Sequence, residues 1–151
     1  KTFLLDFVFK NKWESIQKMK PDAFLKLLHT ACKRADEELD RNLNYTESNY
    51  QNALLHYLRK AVPDEMVCAK EVSVTYKLSD GFCFGGGRID IICEDATSCW
   101  ILELKAHADR RMIARFSGQT NRYVKHYPTS VPKCGILIIF GSCSPIVKVL
   151  P

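Results

Sequence analysis

"GGGRIDIICEDATSCWILELKA", residues 85–106, holds charge where apolar side chains are expected. It opens with three glycines, sets Asp90 among isoleucines, and closes with Glu103 and Lys105 inside an apolar run. Residues 84–95 and 99–106 have the Ile, Leu, Cys and Trp content of strands, and the connection 95–98 is short enough for a hairpin. Strand side chains alternate faces, so Glu103 and Lys105 share one face while Leu104 points to the core. Asp90, on the neighbouring strand, comes within about 5 Å of facing side chains. Three ionisable groups thus converge on one patch, and burying them is costly unless they are paired or bind a cation.

Two adjacent carboxylates repel each other and disturb each other's titration. A divalent ion relieves that repulsion, and hard oxygen ligands select Mg²⁺ or Mn²⁺ over zinc. Such an ion activates water and neutralises charge on a phosphoryl group. Lys105 beside it is placed to position or deprotonate that water, or to stabilise the transition state. Glu-x-Lys by itself more often marks a salt bridge on an exposed face. The apolar context and the second acid thirteen residues earlier favour chemistry. Glu94 and Asp95, nearer the turn, read as solvated. Gly85–Gly87 reads as a bulge that re-aims Asp90, as a point of close backbone approach, or as a flexible turn.

Outward from this hairpin, residues 3–20 carry helical periodicity up to Pro21, which suits the first turn of a second helix with Phe24, Leu27, Leu28 and Ala31 on one face. The acidic run Asp36–Asp40 reads as a solvated helix end. A third helix starts at Thr46 as N-cap and buries Tyr50, Ala53, Leu54, Tyr57 and Leu58. A first strand follows over 67–78, closed by the turn signal Ser79-Asp80-Gly81. After the hairpin, 109–127 reads as a helix with Met112, Phe116, Gln119 and Tyr123 on one side. Residues 134–141 form a buried strand, and 145–151 a short edge strand.

With 151 residues the chain can bury a real core, and no run approaches the ~18 apolar residues of a membrane span. Its seven cysteines include no Cys-x-x-Cys pair and sit mostly in apolar patterns. We therefore expect no disulfide framework and no zinc site, and an intracellular, reducing compartment such as cytoplasm or nucleus. The net charge is +5, and between Lys105 and Lys133 seven Lys or Arg face Asp109 alone. That local excess favours a polyanionic partner. Arg110, Arg111, Arg115, Arg122 and Lys125 are candidates for phosphate contacts, against the plainer reading of a solvated helix face.

Gly87-Arg88-Ile89-Asp90 followed by Glu103-Leu104-Lys105 resembles the core motif of the PD-(D/E)XK nuclease superfamily. The closest resemblance is to its GxxExxY branch, among the Holliday-junction-resolvase-like and RecB-like nucleases. Glu47-Ser48-Asn49-Tyr50 with Ala53-Leu54, Gln119 with Tyr123, and Phe140-Gly141 follow that branch in order. Asn44 replaces the opening glycine, and Ile89 replaces the proline before the motif aspartate. The resemblance implies an α/β, restriction-endonuclease-like core, α-β-β-β-α-β, with a mixed central sheet flanked by helices. Residues 1–42 would be an N-terminal helical extension packed on a 43–151 nuclease-like domain. It further implies that Asp90, Glu103 and Glu47 bind Mg²⁺ or Mn²⁺, that Lys105 serves the attacking water, and that Gln119 orients water, lysine or phosphate. The implied partner is nucleic acid, DNA before RNA, with a homodimer in keeping with the resolvase-like relatives. The alternative is a catalytically silent module of the same fold that binds nucleic acid or protein.

Overall fold

The computed structural model describes residues 19–141 and 144–151. The helix expected over residues 3–20 falls outside this range except at its last two positions, and Cys143 also lies outside it. Helix α1, Pro21–Glu38, has proline at its start and buries Phe24, Leu28, Ala31, Cys32 and Ala35 along one stripe. Its acidic end is not wholly solvated as expected, because Asp36 turns inward and pairs with Arg41. Asn44 then adopts the left-handed conformation (φ 51°, ψ 47°), which asparagine tolerates better than most residues. Helix α2, Glu47–Ala61, follows a capping box: Thr46 Oγ1 accepts from Asn49 N at 3.2 Å, and Asn49 Oδ1 accepts from Thr46 N at 2.9 Å.

Five strands, β1 Val67–Lys77, β2 Cys83–Glu94, β3 Cys99–Ala106, β4 Lys133–Phe140 and β5 Ile146–Val149, pair in sequence order. β3 and β4 are parallel and the other pairings antiparallel. The parallel pair requires a crossover, supplied by a short 3₁₀ turn (Arg110–Met112) and helix α3, Ile113–His126. This is the expected α/β restriction-endonuclease-like fold, with a mixed sheet between helical layers. α1 and α2 cover one face over Ile91, Trp100, Leu102, Leu104, Ile136, Ile138 and Phe140. α3 covers the other, where Val74, Ile89, Ile92, Ile101 and Tyr123 cluster. Phe24 stacks on Trp100 at 4.4 Å and Tyr50 on Phe140 at 4.6 Å, which fixes both helices to the sheet.

Two local expectations change, and a third is sharpened. Glu94 is not solvated: its carboxylate accepts from Tyr127 Oη at 3.1 Å and from the Thr129 hydroxyl. Gly85–Gly87 is not a turn; the three residues lie inside β2, opposite Tyr76, Thr75 and Val74. Cys68 and Cys93 face each other across β1 and β2 as the one disulfide among the described residues. A single cross-strand pair is no framework, and Cys32, Cys83, Cys99 and Cys134 remain free.

Candidate active site

The site forms where the sheet breaks its own pattern. Cys68 and Ile91 face the α1–α2 layer, whereas Val72, Val74 and Ile89 pack towards α3. Residues two apart on a strand share a face, so both strands must kink between these positions. The kink is at Glu71, which holds a left-handed φ of 54°, and Asp90, its missing partner in a register that otherwise runs unbroken from Val67 to Tyr76. Left-handed geometry costs a non-glycine residue roughly 1–2 kcal/mol. On its other side β2 pairs with β3 only as far as Ile91 opposite Leu102. Asp90 therefore stands where β2 parts from β3 and its pairing with β1 skips one residue.

Its side chain fills the gap. Asp90 Oδ2 accepts from Leu104 N at 2.7 Å, a strand amide that the departing β2 backbone no longer reaches. Gln51, buried on α2, donates to the Asp90 carbonyl at 2.8 Å and holds that backbone from the other layer. Glu103 is only 2 % exposed on the α3 side of β3. Its Oε1 accepts from Lys105 Nζ at 3.0 Å, while Oε2 is buried without a hydrogen-bond partner. Lys105 Nζ lies 3.7 Å from Glu47 Oε1 and 5.1 Å from the centre of the Phe116 ring. Glu47 opens α2, and its Oε2 accepts from Ala106 N at 3.4 Å.

Burial, then the Asp90 charge, pushes the Glu103 carboxyl up to about 8. Burial also raises Asp90, against the lowering effect of the Leu104 amide. For Lys105, burial pulls the ammonium down, but Glu103, Glu47 and Asp90 outweigh it and the group is raised. The partners thus pull in opposite directions across the Glu103–Lys105 contact. The lysine keeps its proton, and buried Glu103 and half-buried Asp90 are short of positive charge.

Asp90, Glu103, Lys105 and Glu47 are accordingly brought together, as a chain of contacts. Among the described residues no three His, Cys, Asp or Glu side chains form a ready-made metal cage. The donor set nonetheless suits a hard ion that keeps much of its water and takes one or two carboxylates. Glu103 Oε2, buried without a partner beside a second acid, is the atom such an ion would satisfy. Gln119 is not bonded to the carboxylates. Its amide donates to Tyr123 Oη at 2.9 Å, and Tyr123 in turn feels the Glu103 charge.

Tyr123 lies flat on β2 because Gly87 has no side chain: a Cβ there would meet the Tyr123 ring at 2.6 Å and the Tyr76 hydroxyl at 2.9 Å. Of the basic candidates, Arg111 is bound to Asp109 at 2.6–2.8 Å. Arg110, Arg115, Arg122 and Lys125 are exposed on the α3 segment. Gln51 is the site residue that sequence reading misses. Its signal was a polar residue one turn after Glu47 on the apolar face of α2.

The family model of the PD-(D/E)XK nuclease superfamily matches residues 28–149, most of the chain. No curated protein matches its sequence.

Proposed function

The chain belongs to the PD-(D/E)XK nuclease superfamily, and from that premise we propose that it is a Mg²⁺- or Mn²⁺-dependent nuclease of the GxxExxY branch, cutting DNA in preference to RNA. The observation that carries this reading is the pairing of half-buried Asp90 with buried Glu103, with Lys105 Nζ 3.0 Å from Glu103, at the point where β2 leaves β3. The Mg²⁺ or Mn²⁺ would be held by Asp90 and Glu103, with Glu47 adjoining, and would supply Lewis-acid activation of water and charge neutralisation at the phosphate.

The chain's own residues do the rest. Leu104 N fixes the Asp90 carboxylate, and Gln51 fixes its backbone. Lys105, an ammonium between two carboxylates, donates to the attacking water or to the charge that grows on the phosphoryl oxygens. Tyr123 and Gln119 hold the floor of the site against Gly87. Arg110, Arg115, Arg122 and Lys125 offer sequence-independent phosphate contacts. Of the 1–42 extension, the described part packs on the 43–151 domain in this reading, which the stacking of Phe24 on Trp100 supports.

The test is a panel of labelled DNA and RNA structures incubated with Mg²⁺ or Mn²⁺, run beside Lys105→Ala. Native protein should cut at least one DNA substrate, and the variant should be slower by about 100-fold or more. Folded, clean protein that neither binds the metal nor cuts any substrate would sink the nuclease reading. Nucleic-acid binding without cleavage would leave a silent module of the same fold.

A further inference from the structure

We propose that the tip of the β1–β2 hairpin is a stacking platform for unpaired DNA bases. Resting on the nuclease reading, this directs the site to DNA that carries single-stranded segments. Leu78, Phe82 and Phe84 are 51 %, 64 % and 53 % exposed within seven residues of one hairpin end. Large apolar side chains gathered in this way mark an interaction surface.

The backbone aims one of them deliberately. Tyr76 pairs with Gly85 and Lys77 with Cys83, so Phe84 is the extra residue of a β-bulge. A bulge redirects a side chain, and the Phe84 ring comes to 6.0 Å from Tyr76 and edge-on to His126 at 5.7 Å. Tyr76 and His126 are themselves 4.9 Å apart, and His126 Nδ1 accepts from Lys77 N at 3.4 Å, tying the hairpin to the end of α3. The result is an array of rings open to solvent.

This array runs on into the candidate site. Gly85 and Gly86 are exposed and present bare backbone next to Phe84. Gly87 follows beneath Tyr123, which neighbours Glu103. Six residue steps of strand take Phe84 to Asp90, about 20 Å, or about six stacked bases at 3.4 Å each. The charge is complementary to a polyanion: α3, which packs on this side of the hairpin, exposes Arg115, Arg122 and Lys125 and contains no acid, and Asp80 is the sole acid from Val72 to Arg88. Asp80 is occupied in the turn, accepting from Phe82 N. Aromatic rings beside cations are the apparatus of single-strand binding, since every unpaired base offers a face to stack and a duplex hides it. A second copy of this chain would bring a like-charged rim to the same place.

The test measures binding in EDTA, where cleavage cannot intervene. DNA single strands, forks and duplexes carrying 2-aminopurine about six bases from the intended cut, and an RNA single strand, are titrated with native protein, Phe82→Ala/Phe84→Ala and Phe84→Trp. Native protein should quench the probe in single strands and forks. The double variant should lose the quenching and bind those substrates about ten-fold more weakly or worse, with duplex binding unchanged. Phe84→Trp should keep both properties. Equal quenching and affinity in the double variant would overturn the platform, as would tighter binding of RNA than of DNA. Self-association that disappears in the double variant while DNA binding is unaltered would overturn it in favour of a dimer contact. The two readings fail separately. Stacking without any cleavage by native protein removes the nuclease, whereas cleavage with a native fork-to-duplex ratio in the double variant removes the platform.

Discussion

The two halves of β2 are made of similar material and do different things. Ile91–Glu94 is bonded to β1 on one side and β3 on the other, carries the Cys68–Cys93 pair, and sits in the core. Cys83–Ile89 is bonded to β1 alone, contains three consecutive glycines, and is mostly exposed. The inner half obeys the ladder, and its residues are explained by burial. The outer half leaves the ladder, and its residues are explained only by what the departure makes room for. A strand amide freed at Leu104 is met by a carboxylate, and a strip of missing side chains is met by Tyr123 and Tyr76.

The sharpest way to break this comparison is at Asp90, where the halves meet. Asp90→Asn keeps an oxygen to accept from Leu104 N but removes the charge. Cleavage in Mg²⁺ should fall by about 100-fold or more, with the melting temperature held within a few degrees. A fully active Asn variant would mean that Asp90 serves the sheet alone. Ile91→Ala, one residue further in, should do the reverse. It should destabilise by about 2–5 kcal/mol through a core cavity, read by urea unfolding, while the folded fraction still cuts at the native rate.

Gly87→Ala probes the outer half without touching a charge. The new methyl would lie 2.6 Å from the Tyr123 ring, which is buried and cannot swing away freely. Overpacking of this kind costs about 1–3 kcal/mol, and the displaced Tyr123 should carry Gln119 with it. The same change at Gly81, where a Cβ meets nothing within 4 Å, would be strained by its φ of 89° alone. Chemical denaturation of both variants, with cleavage assayed alongside, separates a packing fault from a turn fault. Loss of activity in Gly87→Ala only is the expected outcome.

These contrasts also explain what the sequence disclosed. The order of elements along the chain, the hairpin at 95–98, the cap at Thr46 and the helix over 109–127 were legible because each rests on local chemistry: alternation, turn residues, a hydroxyl three residues before an amide. Asp90, Glu103 and Lys105 were legible as charges in the wrong company, and Glu47 only through its resemblance to a motif. Gln51 was not, because a buried amide on a helix face looks like any surface glutamine until the strand it braces is seen. The inward turn of Asp36 and the bonds to Glu94 were missed for a similar reason. Their partners Arg41, Tyr127 and Thr129 are supplied by tertiary structure. The paired kink at Glu71 and Asp90 left no sequence signal at all, since alternation in the sequence continues through it.

The smallest effect tests the electrostatic half of the comparison. Glu103 holds its proton up to about 8 in the folded protein, first because it is buried and then because Asp90 is charged beside it. The unfolded chain releases that proton at about 4–5. Between these values the folded state binds more protons than the unfolded state, so stability should fall as pH rises from about 5 to 8 and level off above. The loss should be on the order of 1–2 kcal/mol, since Lys105 returns part of it. Thermal unfolding in EDTA across that range reads it directly. Glu103→Gln, which cannot ionise, should flatten the slope. Mg²⁺ should do so in the native protein, because an ion that binds only the folded, ionised site stabilises it by mass action. A slope that persists in Glu103→Gln would assign it to other groups. A slope that Mg²⁺ leaves untouched would show that the outer half of β2 opens a gap in the sheet without making a metal site of it.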